Sequence, residues 1–276
     1  MKLVILDRDG TINEDRDDFV KSPEEWVPIP GSLEAIARLN HAGWHTVIAT
    51  NQSGLARGLF DMAALNAIHA RMNRELAELG GRIDAVFFCP HGPDGGCACR
   101  KPLPGLFTMI GERYGVSLRE TYAVGDSLRD LQAGAAAGCA PHLVRTGKGA
   151  ALDAAALRAI VKEVPHATIH PDLASFAQQL IQRERLQRGD APADLGELAV
   201  HARVDRVQGR DVEQAAAQAG LVGRDHRVPA GVVEPRDRLE RARDRHPLGG
   251  RLDVVVAILV DRAVAVEDHE LHGGDL

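Results

Sequence analysis

The strongest constraint on the fold is an alternation that runs through the first 180 residues. Apolar runs of strand length lie at 2–6, 44–49, 85–88, 121–124, 142–145 and 167–169. Segments with helical spacing separate several of them. Ser32 begins one, with Leu33, Ile36, Ala37 and Leu39 on one face, and Gly43 stops it. Asp61 caps a longer one that carries Leu65, Ile68, Met72 and Leu76 and ends at Gly80 and Gly81. Pro104 opens a helix to about Tyr114, 128–137 is helical, and Asp172 opens a last helix with Leu173, Phe176, Ala177 and Leu180. Strands separated by helices imply an α/β, Rossmann-like fold: a parallel sheet covered on both faces.

The chain can afford such a core, being 45% hydrophobic and 26% charged. Its net charge of −6 excludes a grip on nucleic acid by bulk electrostatics. The first apolar run is broken by Asp7, Arg8 and Asp9, so it is no secretory signal, and no apolar stretch is long enough to span a membrane. A cytoplasmic monomer acting on a small molecule is expected, with neither nucleic acid nor membrane as partner.

Beyond residue 180 the composition changes. After Phe176 the chain has no Ser, Thr, Asn, Lys, Cys, Met, Tyr, Trp or Phe. Apart from Ile181 and Ile258, every residue type that remains has codons beginning with G or C. In GC-rich DNA, a frame change that turns third codon positions into first positions yields this alphabet. Residues 1–180 are therefore expected to form the domain, and 181–276 a frameshifted or disordered tail. The alternative is a genuine second domain in which 254–260 forms a strand.

Polar residues stand where the strands end. Asp7 and Asp9 follow the first, Thr50-Asn51 the second and Gly125-Asp126 the fourth, while Arg100-Lys101 precedes a helix. The carboxyl ends of strands in an open α/β sheet share one edge, where ligands bind. Alternate residues of an extended segment point the same way, so Asp7 and Asp9 face one ligand and Arg8 points elsewhere. Carboxylates gathered in one cleft call for a cation, and hard oxygen ligands suit Mg²⁺. A lysine and a hydroxyl nearby can hold phosphate oxygens during displacement.

Asp7-Arg8-Asp9-Gly10-Thr11, Thr50-Asn51, Lys101 and Gly125-Asp126 together resemble the four motifs of haloacid dehalogenase-like (HAD) phosphatases, over roughly residues 1–180. The resemblance implies that Asp7 is the nucleophile and that Asp9 is the acid and then the base. A neutral Asp9 is expected in the first step, since crowded carboxylates raise one another's pKa. It also implies Mg²⁺ on the side chains of Asp7 and Asp126 and the main-chain carbonyl of Asp9, with Thr50 and Lys101 clamping the phosphoryl group. For Asp130 a solvated helix position weighs as much as a place in the metal shell. A catalytically silent HAD-like binding module is the reading from another class, and intact Asp7, Asp9, Lys101 and Asp126 argue against it.

The segment CPHGPDGGCACRKP supplies Cys89, His91, Cys97 and Cys99. Three thiolates and one imidazole make a closed tetrahedral Zn²⁺ set, structural rather than catalytic. Such a staple would fix the loop that presents Arg100 and Lys101. Cys139 reads as a small buried residue. With Thr50-Asn51-Gln52-Ser53-Gly54, the zinc loop resembles the histidinol-phosphatase-related subfamily. That implies hydrolysis of the 7-phosphate of a heptose 1,7-bisphosphate for lipopolysaccharide precursors, with histidinol phosphate as the alternative substrate. Neither 13–31 nor the interval from Thr50 to Lys101 has room for a large cap domain. Specificity is therefore expected from short loops: Asp15 to Asp18, Thr50, Asn51, Gln52 and Ser53, and Arg100 beside the zinc loop. Two departures from the subfamily stand out, a different 15–19 loop and Ser127 where some relatives carry Lys.

Overall fold

A computed structural model describes residues 1–189, 255–260 and 263–268. Strands β1 (Leu3–Leu6), β2 (His45–Asn51), β3 (Ala85–Cys89), β4 (Tyr122–Gly125), β5 (Ala140–Val144) and β6 (Thr168–His170) form a parallel sheet in the order β6-β5-β4-β1-β2-β3. The order reverses between β1 and β4. Two further strands, β7 (Val255–Val260) and β8 (Ala263–Asp268), extend it antiparallel beyond β3.

The period of two in β1 decides which layer each residue joins. Val4 and Leu6 pack with residues of α1 (Ser32–His41), α2 (Met62–Glu78) and α6 (Leu173–Arg188). Leu3 and Ile5 pack with Leu106, Phe107 and Ile110 of α3 (Gly105–Tyr114) and Ala133 of α4 (Leu128–Ala137). Every residue of β1 is buried, as a central strand covered on both faces requires. Asp61 caps α2 by accepting from the Ala64 N–H, which stops one of the four unpaired donors of that helix end from being left over.

Three differences from the sequence expectations have local causes. β2 runs on to Asn51, because its last two residues pair with Phe88 and Cys89 of β3. Helix α5 (Ala154–Glu163) was not anticipated; Asp153 caps it, and Ile160 seats it on Leu131 and Leu143. Helix α6 continues past the boundary expected at 180, since Glu184 accepts from both Lys2 and the Trp44 indole. The frameshift expectation bears mainly on residues outside those described; within the tail, the 254–260 run is a strand over Val255–Val260. Between β1 and α1 lies one short 3-10 turn, Pro23–Glu25, and among the described residues no cap-sized insertion occurs.

Candidate active site

Four segments converge at the carboxyl edge of the sheet, where the strand order reverses. β1 delivers Asp7 and Asp9, β2 ends in Thr50-Asn51, and β4 runs into Asp126. The loop after β3 carries Lys101. Gly10, at φ +83°, turns the chain sharply after Asp9, and a side chain there would collide with the Asp126 carboxylate. The result is a cleft of about 340 Å³ lined by Asp7, Asp9, Asp15, Thr50, Asn51, Gln52, Ser53, Arg100, Lys101 and Asp126, among others. A volume of this order suits a small ligand.

Lys101 is the hub of its floor. Its ammonium lies 2.8 Å from Asp7 Oδ1 and 2.6 Å from Asp130 Oδ1, and it donates to the Ala49 carbonyl at 2.8 Å. Burial alone would lower the pKa of this lysine, but Asp130 and Asp7 outweigh it and hold it firmly charged. Asn51 sets its backbone through two amide bonds, accepting from Lys101 N and donating to Lys101 O, both at 3.1 Å. Asn51 thus serves the lysine rather than standing free for a ligand.

The carboxylates differ sharply. Burial, with Asp130 and Asp9 nearby and Lys101 opposing, moves Asp7 up to about 6. Burial, Asp7 and Asp130 push Asp126 up to about 8. Asp7, Asp126 and Asp130 bring ligand oxygens within 4.8 Å of one another. Asp130, only 4% exposed, is no solvated helix residue. It closes a capping box at the start of α4, where Ser127 N–H and hydroxyl both bind its Oδ2 at 3.0 and 2.5 Å. With Lys101 on its other oxygen, Asp130 is engaged through both oxygens, whereas Asp7 and Asp126 could each still offer an oxygen to a cation. Two carboxylates that burial holds partly protonated fit a divalent cation, which would let both ionise.

Asp9 departs from the expectation of a neutral acid. Burial pushes it up, but the Arg8 charge and hydrogen bonds from Asn13, Arg8 and Gln52 hold it below the usual range. Arg8 does not point elsewhere either. It is 1% exposed, and its guanidinium folds back to fork the Asp9 carboxylate, with Nε and Nη2 at 3.0 and 2.8 Å from Oδ1. Gln52, expected at the substrate, bonds Asp9 Oδ2 at 2.9 Å and the Thr50 hydroxyl at 3.0 Å.

Asp18 is the one expected contact outside the lining of the cleft; it pairs with Arg16 and Lys21 on the surface. Asp15 does line it and bonds Lys148, whose own backbone N–H binds Asp126 Oδ2 at 2.6 Å. Arg16, within the loop expected to set specificity, lines the cleft, and Arg57, Arg129 and Lys148, which the sequence reading did not single out, reach it too. Only their place next to motif residues could have marked Arg57 or Arg129. Nothing in the sequence marks Lys148.

The Cys/His loop closes on itself. Cys89 Sγ is 3.6 Å from both His91 Nδ1 and Cys97 Sγ, and Cys99 Sγ is 3.4 Å from His91 Nδ1. A zinc tetrahedron with bonds of about 2.0–2.3 Å has edges of roughly 3.5–3.8 Å, so the donor set and its spacing fit the ion. A hydrogen bond from Cys99, reinforced by His91 and Cys97, pulls the Cys89 thiol down to about 5, toward the thiolate a metal needs. Arg100 donates to the His91 carbonyl at 3.0 Å and so ties this loop to the cleft. Cys139 is buried in the apolar layer beneath α4. No helix among the described residues is long and apolar enough to cross a membrane.

The family described as HAD-hydrolase-like matches residues 98–176. The D-glycero-beta-D-manno-heptose-1,7-bisphosphate 7-phosphatase of Bordetella bronchiseptica is 61% identical over 185 residues, which are 66% of this chain and 99% of that protein. Its namesake from Pseudomonas aeruginosa is 53% identical over 181 residues, 65% of this chain and 98% of that one. A crystal structure of the B. bronchiseptica enzyme complexed with magnesium and phosphate superposes with a TM-score of 0.61 at 60% identity, covering 66% of this chain and 99% of that one.

Proposed function

The chain belongs to the HAD-like hydrolases, alongside the heptose-bisphosphate phosphatases it matches, and on that premise we propose that it hydrolyses the 7-phosphate of D-glycero-β-D-manno-heptose 1,7-bisphosphate. The product would feed heptose into lipopolysaccharide precursors. The observation that carries the reading is the pairing of Asp7 with Lys101 at 2.8 Å on the floor of the cleft.

Asp7 attacks phosphorus, the bond to the sugar oxygen breaks, and an aspartyl-phosphate forms. Asp9, ionised in the free protein, takes up a proton from solvent as the negatively charged phosphate enters the cleft and gives it to the departing alkoxide. It then takes a proton from the water that attacks the aspartyl-phosphate, which releases phosphate and restores Asp7. Thr50 and Lys101 hold the phosphoryl oxygens, and Ala49 and Asn51 keep Lys101 in place. Asp15, Ser53 and Arg100 are the proposed contacts to the rest of the substrate. Magnesium, held by the Asp7 and Asp126 side chains and the Asp9 carbonyl, would supply positive charge to the phosphoryl oxygens. Zinc on Cys89, His91, Cys97 and Cys99 would hold the loop that carries Arg100 and Lys101. The functional unit is residues 1–180 with the zinc loop 89–99, in a cytoplasmic monomer, and residues 181–276 contribute no side chain to the chemistry. In-frame third-position bias in the DNA encoding the tail would overturn that last point.

The test is a side-by-side assay of phosphate release from the heptose bisphosphate and from histidinol phosphate, with magnesium. Preference for the heptose bisphosphate is expected; preference for histidinol phosphate would move the chain to the alternative substrate.

A further inference from the structure

The apolar face of α2 carries one residue that packing does not explain. Leu65, Ile68, Met72 and Leu76 make a stripe against the sheet, and His69 lies buried among them at 1% exposure. Its Nε2 is 3.2 Å from Arg8 Nη1. An arginine is always a donor, so Nε2 accepts and the ring proton sits on Nδ1. That Nδ1 is buried and has no hydrogen-bond partner among the described residues. A buried donor left unpaired carries a desolvation cost that a leucine here would avoid.

What the imidazole does is complete the coordination of Arg8. The guanidinium spends Nε and Nη2 on Asp9, shares Nη2 with Gln52 Oε1 at 3.3 Å, and has Nη1 on His69. Asn13 donates to Asp9 Oδ1 at 2.9 Å and Gln52 to Oδ2 at 2.9 Å. The side chain that transfers protons is thus held by a second layer, and that layer rests on a single helix residue. Without an acceptor at position 69, Nη1 would be a buried charged donor with nothing to bind, and the fork would shift to satisfy it.

Resting on the hydrolytic reading above, we infer that His69 and Arg8 are positioning residues that set the place of the Asp9 carboxylate for proton transfer. Burial and the Arg8 charge keep His69 neutral, its pKa down at about 3, so the acceptor persists across the working range. Neither residue touches the phosphoryl group; both act through Asp9.

The test separates steps that use Asp9 from one that does not. Nitrophenolate leaves p-nitrophenyl phosphate without needing a proton, so its single-turnover release with enzyme in excess reads attack by Asp7 alone. Turnover of the sugar bisphosphate needs Asp9 twice. In His69→Leu, kcat on the sugar bisphosphate should fall about 10- to 100-fold with KM little changed. Single-turnover nitrophenolate release should stay within about threefold. His69→Gln restores an acceptor and should recover most of the loss. If His69→Leu does not fold, Arg8→Met removes the fork itself and must show the same split. Equal losses in both assays, or kcat unchanged, would overturn the inference while leaving the hydrolytic reading in place. A wild-type protein inactive on both substrates would overturn both.

Discussion

Among the described residues two clusters could hold a metal, and they are assembled in opposite ways. Cys89, His91, Cys97 and Cys99 come from the last residue of β3 and the one loop that follows it. Asp7, Asp126 and Asp130 come from the ends of β1 and β4 and the first turn of α4, brought together only because those strands are neighbours where the sheet order reverses. The loop cluster consists of soft ligands that already contact one another. The sheet-edge cluster consists of like charges, with Lys101 between two of them. One is expected to hold structure and the other to hold charge in readiness for chemistry. The difference predicts different symptoms when each is damaged.

The largest contrast should come from Asp7→Asn. Removing the nucleophile should lower phosphate release by about 10⁴-fold or more, while thermal unfolding stays near that of the wild type. Equal activity in the two proteins would erase the distinction between the clusters. Cys97→Ala should do the reverse: zinc content falls, and stability drops by about 4 kcal/mol where free zinc exceeds its dissociation constant a thousandfold. Metal analysis and denaturant unfolding read this, and unchanged zinc content would remove the staple.

Lys101 joins the two clusters, since Arg100 beside it is tied to the loop and its own ammonium to the carboxylates. Lys101→Met should lower kcat by about 10²–10³-fold. Steady-state kinetics beside an unfolding curve would show whether the loss is chemical, as expected, or one of folding.

The smallest effect is a slope with pH. Asp126 has a folded-state pKa raised to about 8, so between the ordinary carboxylate range and pH 8 the metal-free folded protein binds more protons than the unfolded chain. Stability therefore falls as pH rises through that window. Comparing wild type with Asp126→Asn cancels the other groups. The wild type should lose ground by at most about 1.4 kcal/mol per pH unit, and magnesium should flatten the slope. A flat difference without metal would show that Asp126 is not under that strain.

The sequence was most legible where structure is local or periodic. The alternation from β1 to α6 could be read from apolar spacing, and the Cys/His loop from ligand types close together in the chain. Helix α5 was missed although Asp153 and the Leu157 and Ile160 spacing mark it, because its Ala-rich start shows little contrast between faces. The partners of Asn51 and Gln52 were not legible for another reason. Both sit in a motif that borders the cleft, but their side chains turn to Lys101 and Asp9, and a motif does not carry direction.

By itself the sequence determined the α/β alternation, the soft ligand set of the loop, and the period of two that separates Asp7 and Asp9. Only the tertiary structure decided that Arg8 forks Asp9, that Asp130 is buried against Lys101, and that the pKa values of Asp7 and Asp126 are pushed up while that of Asp9 is held down. The physical reason is that burial and charge act through space. Periodicity and ligand type belong to neighbours in the chain, whereas the state of a carboxyl group depends on what the fold brings within a few ångströms of it.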